Sequence, residues 1–302
     1  MFEHLQVWRN GEIVPWGSAN VHIMSHGFSR GSAIFDFFGI YPGPNGPAAF
    51  RMDKHLDRLF RSTELLGMRL AYSREQIIEG VTQLVKANSI RRGVIKVFAY
   101  YGEESITSLV LDSDLDLTIF AIPETEEMGV DENKPIDICF TKWRKIHPST
   151  VPVEAKACSN YLNGMLARQD AFSRGFDVGI FLTTDGYVAE GSIESIFMVK
   201  DNVLKTPFLG NILQSITRMS ILEAAPSLGI ETLEKQISPD ELLEAGEIFV
   251  SRTGKKVLPV KKIEERVFDE APGPVTSKVY QLMDDICHSR NRDFIHWLQP
   301  VI

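Results

Sequence analysis

The sequence is poor in cysteine. Cys139, Cys158 and Cys287 are odd in number and scattered through 302 residues, which excludes a disulfide scaffold and a Cys-based zinc module and points to a reducing cytoplasm. No apolar run reaches the roughly 18 residues of a membrane-spanning helix, so no membrane partner is expected. Met1-Phe2-Glu3-His4 has neither the basic segment nor the apolar core of a signal peptide. Basic charge is also short: 32 Lys and Arg face 40 Asp and Glu, a formal net charge of -8. Nothing in such a chain would neutralise a run of phosphates, which argues against nucleic acid as a partner. Walker A, Rossmann G-x-G-x-x-G, H-E-x-x-H and G-x-S-x-G motifs are all missing. The seven histidines are dispersed without metal-ligand spacing, and no metal is expected. What remains is 44% hydrophobic and 24% charged, an ordinary globular composition with enough apolar material for a sizeable core. At about 150 residues per domain, the length predicts two domains or one large one.

Local patterns predict α+β organisation, because strands and helices come in clusters and not in strict alternation. Gln6-Val7-Trp8 and Glu12-Ile13-Val14 flank Asn10-Gly11, a hairpin signal. A second hairpin should pair 33–41 with 48–51. Asp53 reads as the N-cap of a helix burying Leu56, Leu59, Phe60 and Leu65, and Ser73 with Gln76 reads as a capping box for a helix carrying Ile77, Val81, Leu84 and Val85. Strands are expected at 94–101 and 115–122. The polar stretch 123–134 is the linker candidate, giving a small α+β domain at 1–130 and a larger α+β domain at 131–302. The second part should hold strands at 136–141, 178–182, 187–190, 196–200, 203–206, 248–251 and 257–260. Helices should span 160–173, with Leu162, Met165, Leu166 and Ala171 on the apolar side, 216–228 and 275–287.

Four places could carry chemistry. Lys156 sits among small and apolar neighbours just before a helix, and a desolvated lysine can act as a nucleophile or form a Schiff base. Glu190 ends a predicted strand, where a carboxylate could protonate or hydrogen-bond a heterocyclic nitrogen. Ser215-Ile216-Thr217-Arg218 opens a helix whose exposed amides favour an anion. Ser251-Arg252-Thr253-Gly254 is a polar turn that could also offer amides. Each also has a plain structural reading: a loop lysine, a turn acid, a serine N-cap, a turn. Their joint presence in one half of the chain is what raises the functional reading.

These pieces, in this order, resemble the fold-type IV pyridoxal-phosphate enzymes, and within them the branched-chain aminotransferases. The resemblance rests on Val21-His22-Ile23-Met24-Ser25-His26, on Phe50-Arg51 with His55-Leu56-Asp57-Arg58-Leu59, and on Ala155-Lys156-Ala157-Cys158-Ser159-Asn160-Tyr161-Leu162. It continues in Glu190-Gly191-Ser192-Ile193-Glu194-Ser195-Ile196-Phe197, in Ile216-Thr217-Arg218 and in Gly273-Pro274-Val275-Thr276. It implies a two-lobed architecture with the cofactor, pyridoxal 5'-phosphate, in the inter-lobe cleft. It implies transamination between a branched-chain L-amino acid and 2-oxoglutarate through an internal aldimine on Lys156. Tyr161 would bond the cofactor's phenolic oxygen and Glu190 its ring nitrogen. Arg58, the amides of Ile216 and Thr217, and Thr253 would hold its phosphate. Phe35 would wall the substrate pocket, with Arg30, Lys96, Thr253 and Gly254 as further substrate residues. A homodimer or higher homo-oligomer would follow.

Several departures bear on the substrate. Arg30 stands where relatives commonly have tyrosine, and Phe37 replaces a glycine just after the pocket acid. Lys96 replaces an arginine, Gln214-Ser215 replaces Pro-Gly, Arg252 replaces a glycine and Ser195 replaces an asparagine. Lys96 alternates with Val94 and Phe98, a lone cation among apolar residues, and such a charge needs an anionic partner. That partner would be a substrate carboxylate or a structural acid. D-amino-acid aminotransferases and aminodeoxychorismate lyases share the fold and the lysine, and remain the alternative activities.

Overall fold

The computed structural model describes residues 2–125 and 134–302. The expected boundary near residue 130 lies outside the described residues. The chain divides into two compact units. The first holds the N-terminal residues together with Ala155–Ser159 and Ile286–Ile302; the second holds the rest up to Asp285. The second stretch, expected to be continuous, therefore returns residues to the first unit twice. Lys156, expected in the second domain, belongs to the first.

The first unit begins with β1 (Gln6–Arg9), β2 (Glu12–Pro15), α1 (His26–Arg30), β3 (Ala33–Gly43), β4 (Gly46–Phe50), α2 (Met52–Leu66), α3 (Arg74–Ala87), β5 (Gly93–Tyr100) and β6 (Asp116–Pro123). With the C-terminal strand Leu298–Pro300 these make one antiparallel sheet, in the order C-terminal strand, β4, β3, β5, β6, β1, β2. The first turn is as read: Asn10 and Gly11 both take positive φ, at 49° and 96°, as a type I′ turn requires. The side chain of Asn10 also accepts from the Leu117 amide at 2.8 Å, tying the turn to β6.

Side chains alternate along β3. Ile34, Asp36, Phe38 and Ile40 are fully buried, and the core on their side takes in Leu56 and Leu59 of α2 and Ile77, Val81 and Leu84 of α3. Each such aliphatic side chain contributes about 1.5–3 kcal/mol on burial. Phe35 and Phe37 point to the opposite face and are half-buried. The capping box of α3 forms between Ser73 and Gln76. Asp53, however, is not the cap of α2. The helix starts earlier, after Arg51, which takes a left-handed φ of 50°. The Arg51 amide donates to the Trp297 carbonyl at 2.7 Å, and its guanidinium lies 4.3 Å over the Trp297 ring. This long-range anchor takes the place of a local cap, and Asp53 sits in the first turn, where its charge still suits the helix dipole.

The second unit contains β7 (Ile136–Arg144), α4 (Tyr161–Ser173), β8 (Val178–Leu182), β9 (Ser195–Lys200), β10 (Val203–Pro207), α5 (Ile216–Ala224), β11 (Glu231–Lys235), α6 (Pro239–Leu243), β12 (Glu247–Ser251), β13 (Leu258–Ile263), β14 (Arg266–Val267) and α7 (Pro274–Cys287). Its mixed sheet runs β11, β10, β9, β12, β13, β7, β8, with β14 paired to β13. The core includes Ile138, Ile180, Ile196, Met198, Ile248 and Val260.

Three expectations change here. Residues 187–190 are not a strand: they meet β8 through one isolated bridge, Leu182 with Val188. The helix from Ile216 tightens into a 3-10 turn at Ala225–Leu228, where Pro226 lacks the amide that an α-helix needs. Helix α4 buries Gly164, Ala167 and Ala171, leaving Leu162 59% and Met165 49% exposed. The small stripe wins because the backbone comes so close: a Cβ on Gly164 would meet the Ser192 carbonyl oxygen at 2.4 Å.

Candidate active site

In the first unit, β3 and α2 build a buried clamp around Asp36. His55 and Arg58 lie three residues apart, on one face of α2. The His55 Nδ1 is 2.6 Å from Asp36 Oδ1. Arg58 donates its Nε to Oδ2 at 2.9 Å and its Nη2 to Oδ1 at 2.8 Å. Burial alone would push the Asp36 carboxyl up, but the Arg58 guanidinium and His55 outweigh it and hold the carboxyl well below the usual carboxylate range. The acid read from sequence as belonging to the pocket is thus the brace that fixes the plane of Arg58.

The residue pair Lys156 and Phe35 is set by backbone contacts. The Lys156 amide donates to the Ser62 hydroxyl of α2 at 3.0 Å, and the Phe35 amide donates to the Lys156 carbonyl at 3.1 Å. Ile34 and Ala157 form an isolated bridge. The buried Lys156 amine lies 4.8 Å from the Phe35 ring centroid. Lys96 approaches the same ring, at 5.1 Å, and the Phe98 ring at 4.5 Å. Register explains the cluster: Phe35 faces Phe98, and Phe37 faces Lys96. Loss of water depresses the Lys96 amine below the ordinary lysine value, and the nearby Cys158 thiol opposes this weakly. The thiol itself is pushed up by burial, with Lys96 and Lys156 pulling it back. Among the described residues, no carboxylate pairs with Lys96. Arg30, at the end of α1, is exposed and donates to the Ile106 carbonyl at 3.0 Å.

In the second unit, Glu190 is buried, and its Oε1 lies 2.6 Å from Lys145 Nζ, both side chains being nearly enclosed. The turn that follows is held by Glu194, which accepts from the Ile193 amide at 3.0 Å and from Arg168 of α4 at 2.5 Å. Tyr161 is the first residue of α4 and is half-buried. Lys145 and Glu194 were not singled out from sequence. Lys145 follows Lys142, Trp143 and Arg144, all exposed, and reads as one more solvated strand-end charge.

The start of α5 has the properties of an anion site. Ser215 caps it by accepting from the Arg218 amide. Ile216 and Thr217 are almost fully buried, and their amides, first in the helix, have no intrahelical acceptor. Arg218 is spent elsewhere, on the Pro207 carbonyl and Glu234. After β12, the Arg252 amide closes a turn onto the Lys255 carbonyl at 2.8 Å, and Lys256 Nζ donates to the Thr253 carbonyl at 2.9 Å. Among the described residues, the Ser251 hydroxyl and the Arg252 Nε are buried without a hydrogen-bond partner. Buried donors are rarely left unpaired, so these groups fit a bound phosphate or carboxylate. Gly254 leaves open space where a side chain would stand.

A lysine packed on a phenylalanine, a braced arginine and a helix start with unused amides belong, on these two sheets, to a known class. The family model for class IV amino-transferases matches residues 33–263, and the chain belongs to that family. The branched-chain-amino-acid aminotransferase of Escherichia coli K12 is 32% identical over 299 residues, 98% of this chain and 97% of that one. Among solved structures, the branched-chain aminotransferase of Thermoproteus uzoniensis with norvaline matches with a TM-score of 0.93 and 33% identity, covering 99% of each chain. The branched-chain amino acid aminotransferase of Thermobaculum terrenum, in its PLP-bound holo-form, matches with a TM-score of 0.91 and 29% identity, covering 98% of each chain.

Proposed function

We propose that this chain is a pyridoxal-phosphate-dependent aminotransferase that moves the amino group between a branched-chain L-amino acid and 2-oxoglutarate. The single observation that carries the reading is Lys156, a buried lysine whose backbone is fixed by β3 and α2. Full-length similarity to branched-chain aminotransferases supports it. When bound, the cofactor supplies an electron sink for the substrate Cα and a store for the amino group between the two half-reactions.

The chain's own residues divide the work. Lys156 Nζ anchors the cofactor and moves a proton to and from the substrate Cα. Arg58, held in plane by Asp36, binds the phosphate, as do the Ile216 and Thr217 amides and Thr253. Glu190 holds a proton on the ring nitrogen, and Tyr161 donates to the phenolic oxygen. Phe35 excludes water beside the amine. Lys96 receives the side-chain carboxylate of 2-oxoglutarate, with Arg30, Thr253 and Gly254 as further substrate residues. The free cysteines suit a reducing cytoplasm, where we place the enzyme. No helix among the described residues is long and apolar enough to cross a membrane.

We also propose a homodimer. Backbone bonds join the start of α1 and the residues before it to the loop after β5: the His26 amide donates to the Glu103 carbonyl and the Ser105 amide to the Met24 carbonyl. This paired surface leaves Phe28, Ile106, Leu109 and Val110 between 66% and 85% exposed, a large apolar patch for a monomer.

Purified protein should show a cofactor absorbance that disappears in Lys156→Ala. L-leucine and L-valine should be good donors to 2-oxoglutarate, tested beside D-alanine, an aromatic amine and pyruvate as alternative acceptor. Failure of wild type to bind pyridoxal phosphate at saturation sinks the reading. D-alanine as the clearly preferred donor would replace it with the D-amino-acid activity.

A further inference from the structure

Glu190 is asked to hold a proton on a ring nitrogen, so it must be both anionic and correctly turned. It is a buried carboxylate, and burial alone penalises the charge. The compensation comes from Lys145, whose Nζ lies 2.6 Å from Oε1. Among the described residues, the other oxygen, Oε2, has no partner. The ammonium thus holds one carboxylate oxygen and leaves the second for a ligand.

Both partners are fixed to the same strand. The Lys145 amide donates to the Leu182 carbonyl at 2.9 Å, the Phe181 amide to the Glu190 carbonyl at 2.8 Å, and the Ala189 amide to the Phe181 carbonyl at 2.9 Å. Adjacent residues of β8 therefore set the two ends of the ion pair. Lys145 is clamped from α4 as well. Asn163 donates its Nδ2 to the Arg144 carbonyl at 3.1 Å, and its Oδ1 accepts from the Ile146 amide at 3.2 Å. One side chain grips the backbone on both sides of Lys145. The amine also lies 5.8 Å from the Phe181 ring, which limits the water that could replace Glu190 as its partner. A surface lysine would not be held at this many points.

The geometry points to Lys145 as the positioning residue of the reaction: it holds Glu190 Oε1 and so turns Oε2 toward the cofactor's ring nitrogen. The inference rests on the role given above to Glu190. Lys145 does not touch the reacting atoms, so its loss should act through Glu190 alone.

The test compares wild-type holoenzyme with Lys145→Gln, Lys145→Arg, Glu190→Gln and the double variant Lys145→Gln/Glu190→Gln. The readouts are the dissociation constant of pyridoxal phosphate by absorbance titration, the pH profile of that absorbance, and kcat and KM with L-leucine. Lys145→Gln should weaken cofactor binding and lower kcat, each on the order of tenfold, the scale of one charge-assisted hydrogen bond. Its KM for L-leucine should stay near wild type, because the lost contact does not serve substrate binding. Lys145→Arg should recover most of the loss. The double variant should be no worse than Glu190→Gln, since both changes break one interaction. Additive losses, or a Lys145→Gln absorbance profile identical to wild type, would overturn the inference. If Lys145→Gln fails to fold by circular dichroism, Lys145→Arg decides: an altered pH profile in place of recovery overturns it. Failure of the wider functional reading is seen separately, as a wild type without Lys156-dependent absorbance.

Discussion

Lys96 is where the proposed acceptor specificity rests on the chemistry of one residue. Sequence alternation predicts a lone cation that needs an anion, and among the described residues it meets two phenyl rings and a thiol in place of a carboxylate. Cation–π contact offsets part of the desolvation, yet the amine stays depressed below the ordinary lysine range near 10.4. The sign of the consequence follows. Below its lowered pKa the amine is charged and can receive a carboxylate; as pH rises through that value the charge is lost. The KM for 2-oxoglutarate should therefore climb on the alkaline side, while the KM for a 2-oxo acid with an aliphatic side chain stays flat. Lys96→Met should remove this difference and raise the KM for 2-oxoglutarate at neutral pH by about 10- to 100-fold, matching about 1.5–3 kcal/mol for a hydrogen bond to a charged group. Steady-state kinetics of both acceptors from pH 6 to 10 checks it, and parallel profiles for the two would exclude the role.

The clamp between β3 and α2 belongs to the scale of elements. Asp36 carries no solvent exposure and Arg58 little, so removing one partner leaves a buried charge uncompensated. Asp36→Asn should cost about 3–5 kcal/mol of stability and also weaken cofactor binding, because Arg58 loses its brace. The carboxyl is depressed in the folded state, so its contribution is present above the unfolded-state pKa of about 3.9. It is lost as pH falls through the lower folded value. The stability gap between wild type and Asp36→Asn should be constant from about pH 5 upward and narrow only in stronger acid, as read by urea melts. A gap that instead grows on acidification contradicts the clamp.

Elements with a local cause were legible in the sequence. The Asn10-Gly11 turn and the Ser73 capping box are set by residues within four positions of each other, and the ordered motifs singled out Lys156 and Glu190, both of which are buried. Elements with a distant cause were not. Helix α2 starts just after Arg51 because Trp297 holds that residue, and no window of neighbours contains that fact. Lys145 escaped for the same reason: its partner lies 45 residues away, and its neighbours look like solvated strand-end charges. Helix α4 misled because its buried stripe is made of glycine and alanine, chosen for close approach to Ser192, while apolar periodicity looks for large side chains.

At the scale of the whole molecule, the acidic balance sets a condition on assembly. Each chain carries -8, so two copies repel, and an apolar surface must outweigh this for a dimer to form. Phe28, Ile106, Leu109 and Val110 offer such a surface. Burying them in both copies of a two-fold interface yields on the order of 12–24 kcal/mol gross, against an association cost of about 4–15 kcal/mol. The two ranges overlap, so two added charges per chain are enough to decide the balance. Wild type should therefore elute with light-scattering mass near twice the 34.0 kDa chain, and more firmly at higher salt, where the like charges are screened. Leu109→Asp with Val110→Asp should give a folded species of single-chain mass. Both residues lie on an exposed loop outside the cores, so the fold should survive by circular dichroism. A wild type that is monomeric at every salt concentration, or a double variant that keeps its mass, would remove this face as the interface.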